Sequence, residues 1–213
     1  MIIEFGQRVD PEISARVRAV AQSFMLNPLS GVSDVVPAFT SVALHYRPES
    51  FSDGVPYEEL RRKVEALLTL GIACQETATR VIEVPVSYGG EFGPDLQEVA
   101  SLCKLSPHEV ITRHAASAHV VYMLGFAPGF PYLGGLDPRL AVPRRATPRP
   151  VVPAGSVAIA RDQSVIYPLA TPGGWNLIGR TPLRLFLPAV QPPCLLQPGD
   201  GVRFVPISPE EYR

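Results

Sequence analysis

Cysteine is scarce in this sequence. Cys74, Cys103 and Cys194 are its three, far apart and odd in number, and no CxxC pair exists. That excludes a zinc ribbon and a dithiol redox motif, and leaves three small apolar side chains of a reduced compartment. Excess charge is lacking too: 19 basic and 20 acidic groups give a formal net charge of −1. Without a basic surface, neither nucleic acid nor an anionic membrane is expected as the main partner. Long apolar runs are missing. The nearest candidate, 120–136, carries no charge but is broken by Pro128, Pro131 and four glycines, short of the roughly 18 residues of a spanning helix. The opening MIIEFGQRVD has an early acid and no basic-then-apolar leader pattern, so a soluble, cytoplasmic protein is expected.

Several motifs are absent as well. No GxxxxGK(S/T) loop occurs, and neither GGEFG (89–93) nor GFAPGF (125–130) forms GxGxxG between a strand and a helix. His108-Glu109 and His114 stand six residues apart, where a zincin helix needs four to bring both imidazoles to one side. No metal site is therefore expected. Gly155-Ser156 lacks the flanking pattern of a nucleophile elbow.

What is present is a globular composition, 46% hydrophobic and 18% charged over 213 residues, enough for one large domain or two small ones. Sixteen of the 24 prolines fall in the last 89 residues, and 17 arginines outnumber the two lysines, Lys63 and Lys104. Residues 1–124 carry 10 basic and 15 acidic groups, whereas 125–213 carry 9 and 5. Halves of such different chemistry point to two domains.

In the first half, Ile2, Ile3 and Phe5 suggest a short strand. Asp10-Pro11 is a helix start, with Ile13, Val17, Val20, Ala21 and Phe24 at helical spacing and Asn27-Pro28 as the stop. Stretches 32–36 and 40–46 read as strands and 57–70 as an amphipathic helix closed by Gly71. Residues 80–88 alternate as another strand. The order β-α-β-β-α-β predicts a ferredoxin-like split βαβ domain over 1–88. A helical connector over 89–118 follows, made of a helix at 94–104 and another opened by the capping box Ser106-Pro107-His108-Glu109 and ending near His114. From His119 onward, HVVYMLGF, VPAGSVAIA, SVIYPLA, WNLIGRT, LRLFLP and GVRFVPI alternate with Pro/Gly turns. That spacing predicts a small all-β barrel or sandwich over 119–213. The overall class is α+β.

Three segments carry chemical information. GFAPGFPYLGGLDPRL (125–140) sets Phe126, Phe130 and Tyr132 among four glycines: a binding loop, or aromatics closing over the core. PRRATPRP (143–150) puts Arg144, Arg145 and Arg149 on a proline-stiffened strand: an anion-binding set, or a solvated basic face. TPGGWNLIGRTP (171–182) holds the only tryptophan, Trp175, after two glycines: a ligand wall, or a half-buried turn residue. His114 and His119 flank the boundary between the halves, a position where a histidine is usually structural and satisfied by a backbone carbonyl. His45 reads as a strand residue, and Asp95 as a first-turn acid favoured by the helix dipole.

Together with YGGEFGPDLQEVA (88–100), the helix ending in His114, IYPLATPGGWNLIGRTPLRLF (166–186) and PGDGVRF (198–204), these motifs make the chain resemble the allophanate hydrolase subunit 1 family. That family includes the B component of bacterial 5-oxoprolinase and the sporulation kinase inhibitor KipI. The resemblance runs to about Ile207. It implies that the second domain is a cyclophilin-like barrel. It also implies two partners: a homologous-looking barrel protein of the 5-oxoprolinase C type, and a third, hydrolase-like protein of the A type. The activity implied is ATP-dependent hydrolysis of 5-oxoproline to L-glutamate, shared with those partners and absent from the isolated chain. ATP would then be a co-substrate bound outside this chain. In that setting the lactam ring would lie on Phe130 or Trp175 and its carboxylate on Arg144 or Arg149. The same arginines or Arg180 would face a developing phosphate, and His114 would shuttle a proton. Two other uses of the family stay open: a KipI-like histidine kinase inhibitor, and the carboxyltransferase component of a urea carboxylase/allophanate hydrolase system. No biotin-carrier segment is present, so biotin would have to come from outside.

Overall fold

The computed structural model describes residues 1–51, 55–69 and 80–213. It divides into a unit of residues 1–78 and a unit of residues 79–213.

The first unit runs β1 (Ile2–Glu4), α1 (Pro11–Leu26), β2 (Val32–Pro37), β3 (Ser41–Tyr46) and α2 (Pro56–Thr69). Asp10 caps α1 as its sequence position demands, accepting from the backbone N–H of Glu12 at 2.8 Å and of Ile13 at 3.4 Å. The apolar face of α1 (Val17, Val20, Ala21, Phe24) packs with Val42 and Leu44 of β3 and with Leu60 and Val64 of α2. Burial of each larger side chain contributes about 1.5–3 kcal/mol. Leu70, Gly71 and Cys74 lie outside the described residues.

The sheet of this unit has three antiparallel strands in the order β1-β3-β2. The ferredoxin-like expectation therefore needs correcting. Its intended fourth strand, β4 (Val81–Tyr88), pairs instead in the second unit, parallel to the C-terminal strand over six residue pairs from Val81↔Gly201 to Val86↔Pro206. Alternation identifies a strand but not its partner. Here Val84 and Val86 are apolar positions that complete the barrel core.

The second unit continues with α3 (Leu96–Cys103), α4 (Pro107–Ala116), β5 (His119–Leu124), β6 (Pro131–Gly134), β7 (Arg149–Val152), β8 (Ser156–Ala160), β9 (Gln163–Ile166), β10 (Thr171–Gly173), β11 (Asn176–Arg180), β12 (Gly201–Pro206) and α5 (Pro209–Tyr212). Seven strands close a barrel in the order β11-β4-β12-β5-β6-β9-β8, and β7 with β10 forms a separate two-stranded ribbon. The stretch 183–188, expected as a strand, makes a single bridge from Phe186 to Cys194. Pro182 and Pro188 bracket it and cannot donate to a ladder. Among the described residues no helix is long and apolar enough to cross a membrane.

Period-two alternation sorts the strands nearest the ribbon into two faces. Val157 and Ile159 of β8, Ile166 of β9 and Ile178 of β11 join the main barrel core, which Leu96, Val99 and Ala100 of α3 and Val110 of α4 complete. Ala158, Ala160, Val165, Tyr167 and Leu177 point the other way. There they build a second apolar layer with Phe130, Val152 and Trp175. A sheet buried on both faces is the reason β8 reads as an unbroken apolar run.

Candidate functional site

The second layer gathers most of the side chains singled out from the sequence. The small Ala158 and Ala160 leave space above β8 for rings. Phe130 is central: its centroid lies 5.1 Å from each of Phe126, Tyr132 and Tyr167. Tyr132 stands 6.3 Å from Trp175. The guanidinium of Arg144 covers the Trp175 ring at 5.1 Å, a cation–π contact worth about 0.5–2 kcal/mol. Phe130 and Trp175 are almost wholly buried, Tyr132 is half-buried, and Phe126 and Arg144 are exposed. Phe130 therefore supports the layer from beneath, and the accessible ring of the 125–130 loop is Phe126. Its φ of 70° is in the left-handed region, an arrangement that costs a side chain about 1–2 kcal/mol.

The loop 143–148 docks on the second glycine pair through a bond from the Arg145 N–H to the Gly174 carbonyl, 2.8 Å. The glycine before it is needed for an internal reason. A Cβ on Gly173 would lie 2.2 Å from the Tyr167 hydroxyl, so the room this glycine leaves is filled by the protein's own tyrosine.

Beside the rings, Asp95 binds two arginines. Its Oδ1 accepts from Arg149 Nη2 at 2.6 Å and from Arg145 Nη1 at 2.9 Å, and its Oδ2 accepts from the Leu177 N–H at 2.7 Å. Arg145 also reaches Glu98 at 2.9 Å. Asp95 is not the first-turn acid expected. It is the N-cap of α3, is almost wholly buried, and makes no side-chain capping bond. Burial pushes the Tyr167 phenol up to about 12, with Tyr132 raising it further and Arg144 and Arg149 pulling against the shift. Burial likewise raises Tyr132, against the pull of Arg144. Both hydroxyls stay protonated at neutral pH. Three arginines against two carboxylates leave the group cationic, suited to a small apolar anion.

His114 and Arg180 are not brought to this group. His114 lies fully buried in the main core. Its Nδ1 shares a hydrogen bond with the Tyr88 hydroxyl (2.8 Å) and its Nε2 with the Ser164 hydroxyl (3.1 Å). Ser164 neighbours Val165 on β9 and points to the opposite face. Burial, with His119 adding to it, pushes His114 well below the usual histidine range. Burial also lowers His119, to about 4, while its bonds to the His114 and Gly134 backbone pull the other way. Arg180 Nε donates to the Ala154 carbonyl at 2.8 Å. A cleft of about 570 Å³ beside α4, lined by His108, Glu109, Thr112 and Arg113, is a different place; its Arg113 is already paired with Asp137 at 2.8 Å. Cys103 and Cys194 are free thiols, half-buried and remote from the rings and arginines in sequence. Among the described residues no three His, Cys, Asp or Glu side chains converge as a metal ion requires.

Asp95, Glu98 and Tyr167 are the members that sequence reasoning did not place in the site. In YGGEFGPDLQEVA, Asp95 reads only as an acid at a helix start. Nothing local distinguishes a capping aspartate from one whose partners are 50 and 54 residues away.

Residues 1–196 match the model of the carboxyltransferase domain, subdomain C and D. The chain is 48% identical, over its whole length and 91% of the relative's, to a Bacillus subtilis (strain 168) protein named as the B subunit of 5-oxoprolinase. Among solved structures, TTHA0988 is 41% identical with a TM-score of 0.84; the match covers 98% of this chain but 40% of that longer one. The K. lactis urea amidolyase shares the fold at a TM-score of 0.76, with 20% identity, over 99% of this chain and 14% of that enzyme.

Proposed function

Because the chain belongs to the carboxyltransferase subdomain C and D family, we propose that it is the B subunit of an ATP-dependent 5-oxoprolinase, which opens 5-oxoproline to L-glutamate. The observation that carries this is the 48% identity, over the whole of this chain and 91% of the relative, with a protein of that name. The site suits the substrate. 5-Oxoproline is a five-membered lactam with one carboxylate. A cationic group set beside aromatic rings matches both parts, with Arg144 above Trp175 and Tyr132 alongside.

Opening a lactam with ATP requires the γ-phosphate to move to the amide oxygen; water then adds to the activated carbon, the ring nitrogen leaves as the amine and opens the ring to an acyl phosphate, and a second water releases L-glutamate and phosphate. The chain's contribution is to hold the ring and neutralise its carboxylate, while preformed cations stabilise the negative charge that develops. The nucleotide and the attacking water come from two partners, a second barrel protein and a hydrolase-like protein, so the isolated chain is inactive. His114 is read as the polar hub of the barrel interior, since no substrate reaches a fully buried ring. The barrel itself is read as cyclophilin-like.

The test is a 5-oxoproline-dependent ATPase assay on this chain alone, on the chain with its partner subunits, and with Arg144→Ala in the complex. Glutamate should form only in the full mixture, and Arg144→Ala should raise KM for 5-oxoproline about tenfold. An assembled complex without turnover overturns the reading. Urea-dependent carboxyl transfer by that complex would instead support a carboxyltransferase role, with which the domain family is consistent.

A further inference from the structure

Arg144, Arg145 and Arg149 lie within a stretch of six residues, yet the structure does not use them alike. Arg145 is held by two carboxylates, with Nη1 shared between Asp95 and Glu98, and its buried Nε faces no acceptor. Arg149 is half engaged: Nη2 is on Asp95, whereas Nη1 is buried without a hydrogen-bond partner. Arg144 makes no ion pair among the described residues and rests on Trp175. The carboxylate responsible for this division is Asp95.

Three features set Asp95 apart from an ordinary helix-cap aspartate. It is 3% exposed. Its side chain makes no capping bond to α3, the bond an aspartate at that position ordinarily supplies. And its second oxygen takes the Leu177 N–H while its own N–H donates to the Leu177 carbonyl at 2.9 Å. That two-way link fixes the carboxylate to β11 two residues after Trp175. A buried carboxylate between arginines is rarely a net source of stability, because desolvation offsets the attraction. What such an arrangement supplies here is geometry. β7 carries Arg149, β11 follows Trp175, and Asp95 ties the two together at one point.

We propose that Asp95 is the positioning residue of the substrate-carboxylate subsite: it holds Arg145 and one edge of Arg149 so that Arg144 and the other edge of Arg149 take the carboxylate of 5-oxoproline. This rests on the 5-oxoprolinase reading. Asp95 does not touch the substrate. It sets where the second guanidinium edge stands and lowers the net charge, so that the subsite suits one carboxylate.

The experiment is steady-state kinetics on the complex of this chain with its partner subunits, for wild type, Asp95→Asn, Arg149→Ala and the double variant. Asp95→Asn keeps an acceptor for the Leu177 N–H and removes the charge that anchors the arginines. The expected result is a rise of about tenfold in KM for 5-oxoproline, with kcat and KM for ATP within about threefold of wild type. Adding Asp95→Asn to Arg149→Ala should raise KM by less than about twofold, because the residue acts through Arg149. Fully additive effects, or a fall in kcat at unchanged KM, would overturn the role of Asp95 while leaving the 5-oxoprolinase reading intact. A wild-type complex that forms no glutamate overturns both. Should Asp95→Asn fail to assemble, Arg149→Lys decides. It keeps an ion pair to Asp95 but has no second edge, so a raised KM for 5-oxoproline supports the proposal and an unchanged one overturns it.

Discussion

His114 and His119 stand with ring centroids 4.9 Å apart, each also against Phe204, in an interior that favours their neutral forms. Once unfolded, both regain the ordinary histidine pKa near 6.5. Between the folded and unfolded values the unfolded chain binds more protons, so stability is complete above about pH 6.5 and falls as pH drops toward the folded value, about 4 for His119. The loss is at most about 1.4 kcal/mol per pH unit for each histidine. Urea midpoints should therefore fall between about pH 7 and pH 5, above the range where most carboxylates titrate, and His119→Gln should flatten that slope. Identical slopes in wild type and variant would show that the pair does not set the acid sensitivity.

The β7–β10 ribbon carries the site's arginine and glycine pair on a small element, paired from Thr171↔Val152 to Gly173↔Arg149. Gly173→Ala should lower the melting temperature by the equivalent of about 1–3 kcal/mol through overpacking, since the new methyl meets Tyr167. Tyr167→Phe in the same chain should recover part of that loss, because the hydroxyl is the nearest atom. Simple additivity of the two changes would locate the strain elsewhere. At this scale much was legible from sequence. Asp10-Pro11 and Ser106-Pro107 signalled the starts of α1 and α4 because caps are local chemistry. In the second half β5, β8, β9, β11 and β12 followed from alternation between turns, whereas β6 and β10 did not, and 183–188 alternates without pairing as a strand. The partner of β4 did not, since Val84 and Val86 would suit any apolar sheet. Nor did the burial of Phe130 beneath an exposed Phe126, because two phenylalanines four residues apart in a glycine loop carry no mark of which one turns inward. The arginines were legible as a set. Their division by Asp95 was not, because it depends on contacts across 50 residues and more.

At the level of the whole molecule, β4 and β12 are the parallel pair that closes the barrel between its first and last strands, and Arg80 fastens that end to Asp200 at 3.0 Å through Nε. Removing residues 201–213 should therefore abolish cooperative unfolding, although every arginine and ring of the site precedes the cut. Removing only 209–213, which takes away α5 and the Phe92–Tyr212 ring contact at 4.3 Å, should cost about 1 kcal/mol. Thermal melts followed by circular dichroism distinguish the two; a cooperative melt from the longer deletion would show that β12 is dispensable. The stacking of Arg144 on Trp175 has a further use. Trp175 is the chain's only indole, so its emission under tryptophan-selective excitation reports one position, and that position is in the candidate site. A carboxylate that draws the guanidinium off the ring changes the polarity and solvent access of the fluorophore together. Occupancy of the site can then be followed optically without any label.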